Sequence, residues 1–323
     1  MLARALLPAV LTITLIGVYS SAVAQEYPNR PIRIVSPFGP GTAGDVLGRV
    51  TAAKLAQRLG QNVLVENRPG ASGVTGAKHV ADSTSDGYTL LLGGGPLVLN
   101  QALNPDLPLK VEIDLAPIAT FARTKILMFT ANSEQAPRSF SDLISRLRIK
   151  PAPFGSVGPV TMGRLTTEVV LHRAGVSGIQ VAHKSSGESL ASVLRGDVLF
   201  ASDAVAPALP QIRAGALRPL VVASSERIAT LPEVPTLAEV GIPGVDINVW
   251  YGLFAPSKTS PAILKRIAEE LVRNNTDSDY LARLRDMQFE TFNTPGGDFR
   301  GFILRELAFW QQFFQSSKLK LDN

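Results

Sequence analysis

Short β-branched runs alternate with helical periods along most of this chain, and two longer apolar strands break that rhythm. "PIRIVSPF" reads as a strand. From Asp45 to Leu59, the residues Leu47, Thr51, Leu55 and Leu59 recur at i, i+4 spacing with Gly60 as a stop, which predicts a helix. "NVLVEN" is the next strand, followed by the loop "NRPGASG", a small helix through Ala77 and Val80, and a buried strand in "YTLLLGGG". Strands that alternate with helices in this way predict a mostly parallel sheet covered on both faces.

The first break is "LAPIATFARTKILMFTAN", a long strand with no helix beside it. The rhythm then restarts, with helices at Ser141–Leu147, Thr161–Ala174 and Ser189–Leu194 set between the strands "APFGS", "IQVAH", "VLFASD" and "RPLVVAS". A Pro-rich passage, "LPEVPTLAEVGIPG", leads to the second long strand, "VDINVWYGLFAP", and the rest is helical. One long strand out and one back predict two α/β lobes with a cleft between them. The expected division is residues 25–124 with 247–323 for lobe 1, and 125–246 for lobe 2.

The first residues carry a different pattern. Arg4 precedes an apolar run from Ala5 to Val18, and Ala22-Val23-Ala24 supplies an A-x-A cleavage pattern. The run is too short to span ~30 Å of hydrocarbon comfortably. A secretory signal over residues 1–24 and an exported, periplasmic product are therefore expected. No cysteine lies near the cleavage point, which excludes a lipoprotein. Without the signal, 31 basic residues face 27 acidic ones, since Arg4 is one of the 32 in the whole chain. The net +4 is spread out, with no Lys/Arg block, so it suits anionic ligands and not a nucleic-acid surface. The absence of cysteine removes disulfides, thiol catalysis and thiolate metal sites.

Residues Gly39, Gly41 and Gly44 spell GxGxxG, and Glu66 stands roughly 20 residues on, the arrangement of a dinucleotide-binding turn. The turn chemistry argues against that reading. Pro37 and Pro40 lack the N–H donors that a pyrophosphate requires, and Asp45 would repel it. What survives is a Gly/Thr-rich turn at a helix N-terminus, able to bind a small carboxylate through Thr42 and nearby amides, with Asp45 capping the helix. His79, His172 and His183 share no metal-ligand spacing, and "GSVGP" is no nucleophile elbow. No metal, cofactor or enzymatic activity is expected. Arg164 falls in the first turn of a helix, where a cation works against the dipole. That placement points to an anionic partner or to an i, i+4 pair with Glu168. Asp203 ends an apolar strand, as a solvated cap or as a polar cleft residue.

Four phrases, "YPNRPIRIVSPFGPGTAGD", "LGQNVLVENRPGASGVTGAKHVADSTSDGYTLLLG", "LRPLVVASSERIATLPEVPTLAEVGIPG" and "WYGLFAP", resemble the extracytoplasmic solute receptors of tripartite tricarboxylate transporters, the Bug or TctC-like family. The resemblance implies a type II-like periplasmic binding protein with ligands held in the cleft by main-chain amides, hydroxyls and water. Those ligands would be small carboxylates: di- or tricarboxylates, aromatic acids or related anions. Its implied partners are the membrane components of such a transporter, with the receptor itself a monomer. Carried onto this chain, the binding loops supply Phe38, Gly41, Thr42 and Asp45, then Ser72 and Gly94, and in lobe 2 Ser156, Thr161, Arg164, His183 and Asp203. The chain departs from the family pattern at several points. Gly39 and Thr42 stand in the usual PFPPGGxxD loop, Val160 and Arg164 replace a glycine and a histidine, and Ala182-His183-Lys184-Ser185 replaces PYKG. The more basic wall suits a dicarboxylate, an aromatic acid or a sulfonate. The alternatives are a ligand sensor for a membrane two-component kinase and, more remotely, an NAD-dependent oxidoreductase.

Overall fold

A computed structural model of the chain describes residues 27–157 and 161–317. The expected signal segment, and Val160, lie outside the described residues. The chain first builds β1 (Ile32–Ser36), α1 (Ala43–Leu59), β2 (Val63–Asn67), α2 (Val74–Ala81), β3 (Thr89–Gly94), α3 (Gly95–Leu103) and the short α4 (Val111–Asp114). The 17-residue β4 (Leu115–Ala131) leads out. A second unit follows: α5 (Phe140–Ile149), β5 (Ala152–Val157), α6 (Met162–Arg173), β6 (Gly178–His183), α7 (Ser186–Arg195), β7 (Phe200–Ala204), α8 (Val205–Arg213) and β8 (Leu217–Val222). Strand β9 (Asn248–Pro256) returns, and α9 (Pro261–Arg273), α10 (Ser278–Asp286), β10 (Glu290–Thr291) and α11 (Gly296–Ser317) complete the described chain.

The strand order is β2-β1-β3-β9-β4-β7-β5-β6, with β8 and β10 also paired to β4. Pairing is parallel at β1–β2, β1–β3, β5–β6 and β5–β7, as βα alternation predicts. All five pairs that involve β4 or β9 are antiparallel, so the sheet is mixed and not mostly parallel. The cause is the connectivity: a chain that leaves one lobe along a strand and returns beside it must run the opposite way. Strand β4 pairs with β9 from Leu115 to Lys125 and with β7 and β8 from Ile126 to Ala131, so it belongs to both lobes. The return is stitched to it, because Ile247 N–H donates to Ala223 O at 2.8 Å and Ala223 N–H to Ile126 O at 2.9 Å.

Strand alternation divides the core. Ile32 and Ile34 of β1, and Leu90 and Leu92 of β3, pack with Leu47 and Leu55 of α1 and with Ile267 of α9. Val35 and Leu91 point to the other face, into a cluster with Leu97, Trp250, Phe254, Phe299 and Trp310. Both faces of the sheet are thus covered, at about 1.5–3 kcal/mol for each large side chain buried. The second cluster continues into lobe 2 through Phe154, Leu165 and Phe200. Among the described residues no helix is long and apolar enough to cross a membrane.

Helices α3 and α8, with the short α4, escape the periodicity. Leu97, Val98, Leu99, Asn100 and Gln101 of α3 are all buried, so that helix has no polar face to betray its period. Helix α8 carries Pro207 and Pro210, which read as loop punctuation. Pro207 sits in the first turn, where no N–H partner is needed.

Candidate functional site

The loop after β1 is organised from within. Thr42 is the N-cap of α1: its hydroxyl accepts from Asp45 N–H at 3.4 Å and donates to Gly39 O at 2.8 Å. The cap is therefore Thr42, and the expectation that Asp45 fills that role is corrected. Asp45 is buried one turn in, where its carboxylate accepts from Gly41 N–H at 2.9 Å, Asn67 Nδ2 at 2.6 Å and Arg49 Nε at 3.1 Å. Burial pushes that carboxyl up, but the hydrogen bonds from Asn67, Arg49 and Gly41 outweigh it and hold it below the usual carboxylate range. Asn67 Nδ2 also donates to Phe38 O at 3.0 Å. Phe38 lies over Gly44, where a Cβ would come within 2.8 Å of its ring. Asp45, Thr42 and the exposed Gly41 thus shape the loop, while Phe38 and Pro37 face the cleft.

The loop after β2 is strained. Gly70, Ala71, Ser72 and Gly73 all have positive φ, at 136°, 46°, 51° and 96°. Two non-glycine residues in succession in the left-handed region cost on the order of 1–2 kcal/mol each. Asn100 of α3, buried, holds the loop by donating its side-chain amide to Ala71 O at 3.1 Å. From this loop Ser72 lines the cleft. Gly94 is buried behind it, with room only for hydrogen because a Cβ would sit 2.6 Å from the Trp250 carbonyl oxygen.

In lobe 2, Thr161 caps α6 by accepting from Arg164 N–H at 3.4 Å. Gly163 lets the helix start against β7, where a Cβ would run into the Ser202 carbonyl oxygen. Thr167 Oγ1 donates to Ser202 Oγ at 2.7 Å and ties α6 to β7. Ser185 caps α7, which sets Ser186 on the wall. Asp203 Oδ1 accepts from Ala204 N–H at 2.7 Å, and its Oδ2 is buried without a hydrogen-bond partner among the described residues. Burial pushes this carboxyl above the usual range, against the opposing hydrogen bonds from Ser186 and Ala204.

These pieces enclose a cavity of about 400 Å³, a volume within the roughly 300–1,000 Å³ of small-molecule sites. Lobe 1 contributes Phe38, Ser72 and Pro96, and lobe 2 contributes Thr161, Met162, Gly163, Ser186, Ser202 and Asp203. The crossing strands contribute Ile126 and Val249. Of the residues expected from the sequence, Phe38, Ser72, Thr161 and Asp203 meet on this cavity. Gly41, Thr42, Asp45, Gly94, Ser156, Arg164 and His183 do not line it. Ser156 is buried and accepts from Gln180 Nε2 at 2.8 Å. Arg164 stands in the first turn of α6 as expected, but it is buried and lies 4.0 Å from Glu168, the i, i+4 partner. His183 ends β6 with its Nδ1 buried. Ser186, Ser202, Ile126 and Val249 were not anticipated. Ser185-Ser186 ahead of "GESLASVL" is an N-cap signal that points to the first of them; strand alternation alone does not say which side of β4 or β9 faces the cleft.

The wall offers hydroxyls, backbone amides and apolar surface, with Asp203 as its ionisable side chain among the described residues. Among the described residues it holds no histidine, lysine or arginine. Glu66, in the position of a ribose-binding acid, is ion-paired with Arg33 at 3.3 Å and Arg68 at 2.6 Å. Among the described residues no cluster of histidine and carboxylate side chains could hold a metal ion.

The family model of the tripartite tricarboxylate transporter family receptor matches residues 47–319. The chain is 33% identical over 312 residues to protein BugT of Bordetella pertussis, covering 94% of each chain. Two solved structures are similar over most of their length. Rpa4515 of R. palustris, with adipate, is 28% identical with a TM-score of 0.78, covering 91% of this chain and 99% of that one. MatC of Rhodopseudomonas palustris, with bound malate, is 27% identical with a TM-score of 0.73, covering 88% and 99%. With a family match across most of its length and the two-lobed cleft of these binding proteins, the chain belongs to the receptor family of the tripartite tricarboxylate transporters.

Proposed function

We propose that the protein captures a small carboxylic acid between its lobes and presents it, lobes closed, to the membrane components of a tripartite tricarboxylate transporter. The observation that carries this reading is the cavity of about 400 Å³, walled by both lobes and by both crossing strands, in a chain whose similar structures hold adipate and malate. The reading assigns ligand contact to Phe38, Ser72, Thr161, Ser186 and Asp203. It gives Thr42, Asp45, Gly94 and Ser156 the task of holding the loops. The protein carries out no chemistry; its work is differential binding to open and closed states. In this reading residues 1–24 direct export, the receptor acts as a periplasmic monomer, and the lobes are residues 25–124 with 247–323, and 125–246. The change of β4 partners at Lys125 and Ile126 supports that boundary.

The test is calorimetry and thermal melting of the exported form with a panel of small mono- and dicarboxylates. One-to-one binding is expected, with ligand at a hundredfold excess over Kd adding ~2.7 kcal/mol of stability. A panel that neither binds nor stabilises overturns the proposal.

A further inference from the structure

Strand β4 has an opening along one edge where it passes from one lobe to the other. On the edge opposite β9, β10 pairs with it at Ala122 and Arg123, and β7 takes over at Ile126. Thr124 and Lys125 fall between these partners, and a cavity of about 140 Å³ sits against them. Among the described residues it shares no lining residue with the cleft. Its floor is buried and largely apolar, made by Val205 at the start of α8, Ile228 from the loop after β8, and Phe289. Gln288, a non-glycine residue at φ 59°, closes α10 and folds Phe289 back, with Phe289 N–H donating to Leu284 O at 2.8 Å. Arg285, exposed, stands on the rim. The other charges on the wall are already matched. Lys125 Nζ donates to Arg227 O at 3.0 Å and lies 3.3 Å from Glu290, which also accepts from Arg123 Nε at 2.8 Å. The Arg285 guanidinium has no ion pair among the described residues.

We infer that this opening is a second small-molecule site, separate from the cleft, for a compact monocarboxylate. A single ring or short branched chain rests on Phe289 and Ile228, and its carboxylate pairs with Arg285. The size fits, since an apolar cavity of about 150 Å³ accommodates a benzene-sized body. A guanidinium can hold a carboxylate through two parallel hydrogen bonds. A second carboxylate on the ligand would meet Glu290 or the apolar floor, so diacids are disfavoured here. Phe289 and Arg285 follow β9 in the chain, whereas Val205 and Ile228 belong to the other lobe, so an occupant bridges the two beside β4. The inference does not depend on what the cleft binds.

Benzoate is the probe, titrated into the exported form and followed through methyl NMR. Saturable shifts are expected at the methyl groups of Val205 and Ile228. Affinity should fall about tenfold for benzamide, the neutral isostere, and about tenfold for benzoate in Arg285→Gln. Terephthalate, with a second carboxylate across the ring, should bind more weakly than benzoate. Because Arg285 is exposed, its substitution should leave the melting temperature unchanged, which checks that the variant is folded. Shifts confined to Ile126 and Val249 would put the acid in the cleft, and the absence of any saturable shift would leave this cavity to water; either overturns the inference. Parent-like affinity in Arg285→Gln, or benzamide or terephthalate binding as tightly as benzoate, overturns the assigned ligand class. The receptor reading is decided separately, by the acids of its own panel.

Discussion

Arg164 shows how much a single residue's meaning depends on its surroundings. A guanidinium in the first turn of a helix opposes the dipole, and the sequence leaves two answers open: an anionic ligand or Glu168. The structure puts Arg164 out of solvent and beside Glu168, with only 7% of its side chain exposed against 21% for the acid. Burial pushes the Glu168 carboxyl up while Arg164 draws it down. Arg164→Ala removes the restraining charge, so the folded-state carboxyl should rise further above its unfolded value. The loss in stability is expected to be roughly 1–3 kcal/mol, between that of a surface pair and that of a fully buried one. A raised carboxyl means that the folded state binds more protons than the unfolded state. The deficit should therefore be largest near about pH 7 and shrink toward about pH 5, as the carboxyl protonates. Urea midpoints of variant and parent at both pH values check this; a deficit that grows on acidification would contradict it. Ala71, at φ 46°, carries strain of a different kind. Ala71→Gly should raise stability by about 0.5–1 kcal/mol, the left-handed penalty of ~1–2 kcal/mol less the extra backbone entropy of glycine. Thermal melting reads it directly, and a destabilised variant would show that the methyl group packs more than it strains.

At the scale of elements, the start of α6 is where packing and site meet. Gly163 brings the helix onto β7, and both Gly163 and Ser202 face the cavity. A methyl group there collides with backbone, which cannot rotate away as a side chain can. Gly163→Ala is expected to cost about 1–3 kcal/mol and to weaken ligand binding, because α6 must lift and take Thr161 and Met162 with it. Normal affinity in a folded variant would show that the helix accommodates the shift without moving the wall. This close approach is also where the sequence stopped being readable. Helix α1 was legible because Leu47, Leu55 and Leu59 recur on one face and Gly60 ends it. The strands of both lobes were legible as short apolar runs set between turns and helical periods. Helix α3 was not, being buried all round, and the antiparallel centre of the sheet follows from chain reversal, which no local pattern records. The binding loops were visible as Gly-rich turns. Which of their residues face inward depends on where Asn67, Asn100 and Gly44 hold the backbone, and those are contacts between distant parts of the chain.

For the whole molecule, the two lobes share one pair of hydrogen-bonded strands. Arg123 and Lys125 of β4 join Glu290 of β10 on the lobe 1 side to Glu226 beyond β8, at 2.8–3.6 Å. Thr230 Oγ1 also donates to Gln288 Oε1 at 3.1 Å. Ligand binding should therefore compact the protein by rigid-body rotation about this seam, with each lobe internally unchanged. Small-angle scattering on the exported form, with and without a saturating acid, is expected to show a smaller radius of gyration with ligand; an unchanged radius would exclude closure from an open resting state.

Ile126 and Val249 give that seam a further significance. They lie on the two crossing strands, so in a rotation about that seam they would travel least, and a ligand resting on them would keep those contacts whether the jaws are apart or together. Contacts that are equal in two states add affinity but supply no leverage between them. The torque must come from the ends of the lever arms, where Ser72 and Asp203 approach from opposite sides. Ile126→Ala should then weaken binding while the fraction of closed molecules at full saturation stays as in the parent. Asp203→Asn should lower that closed fraction. Interlobe distances measured by spin labels at saturating ligand would separate the two, and an equal loss of closure in both variants would show that the axis of rotation lies elsewhere.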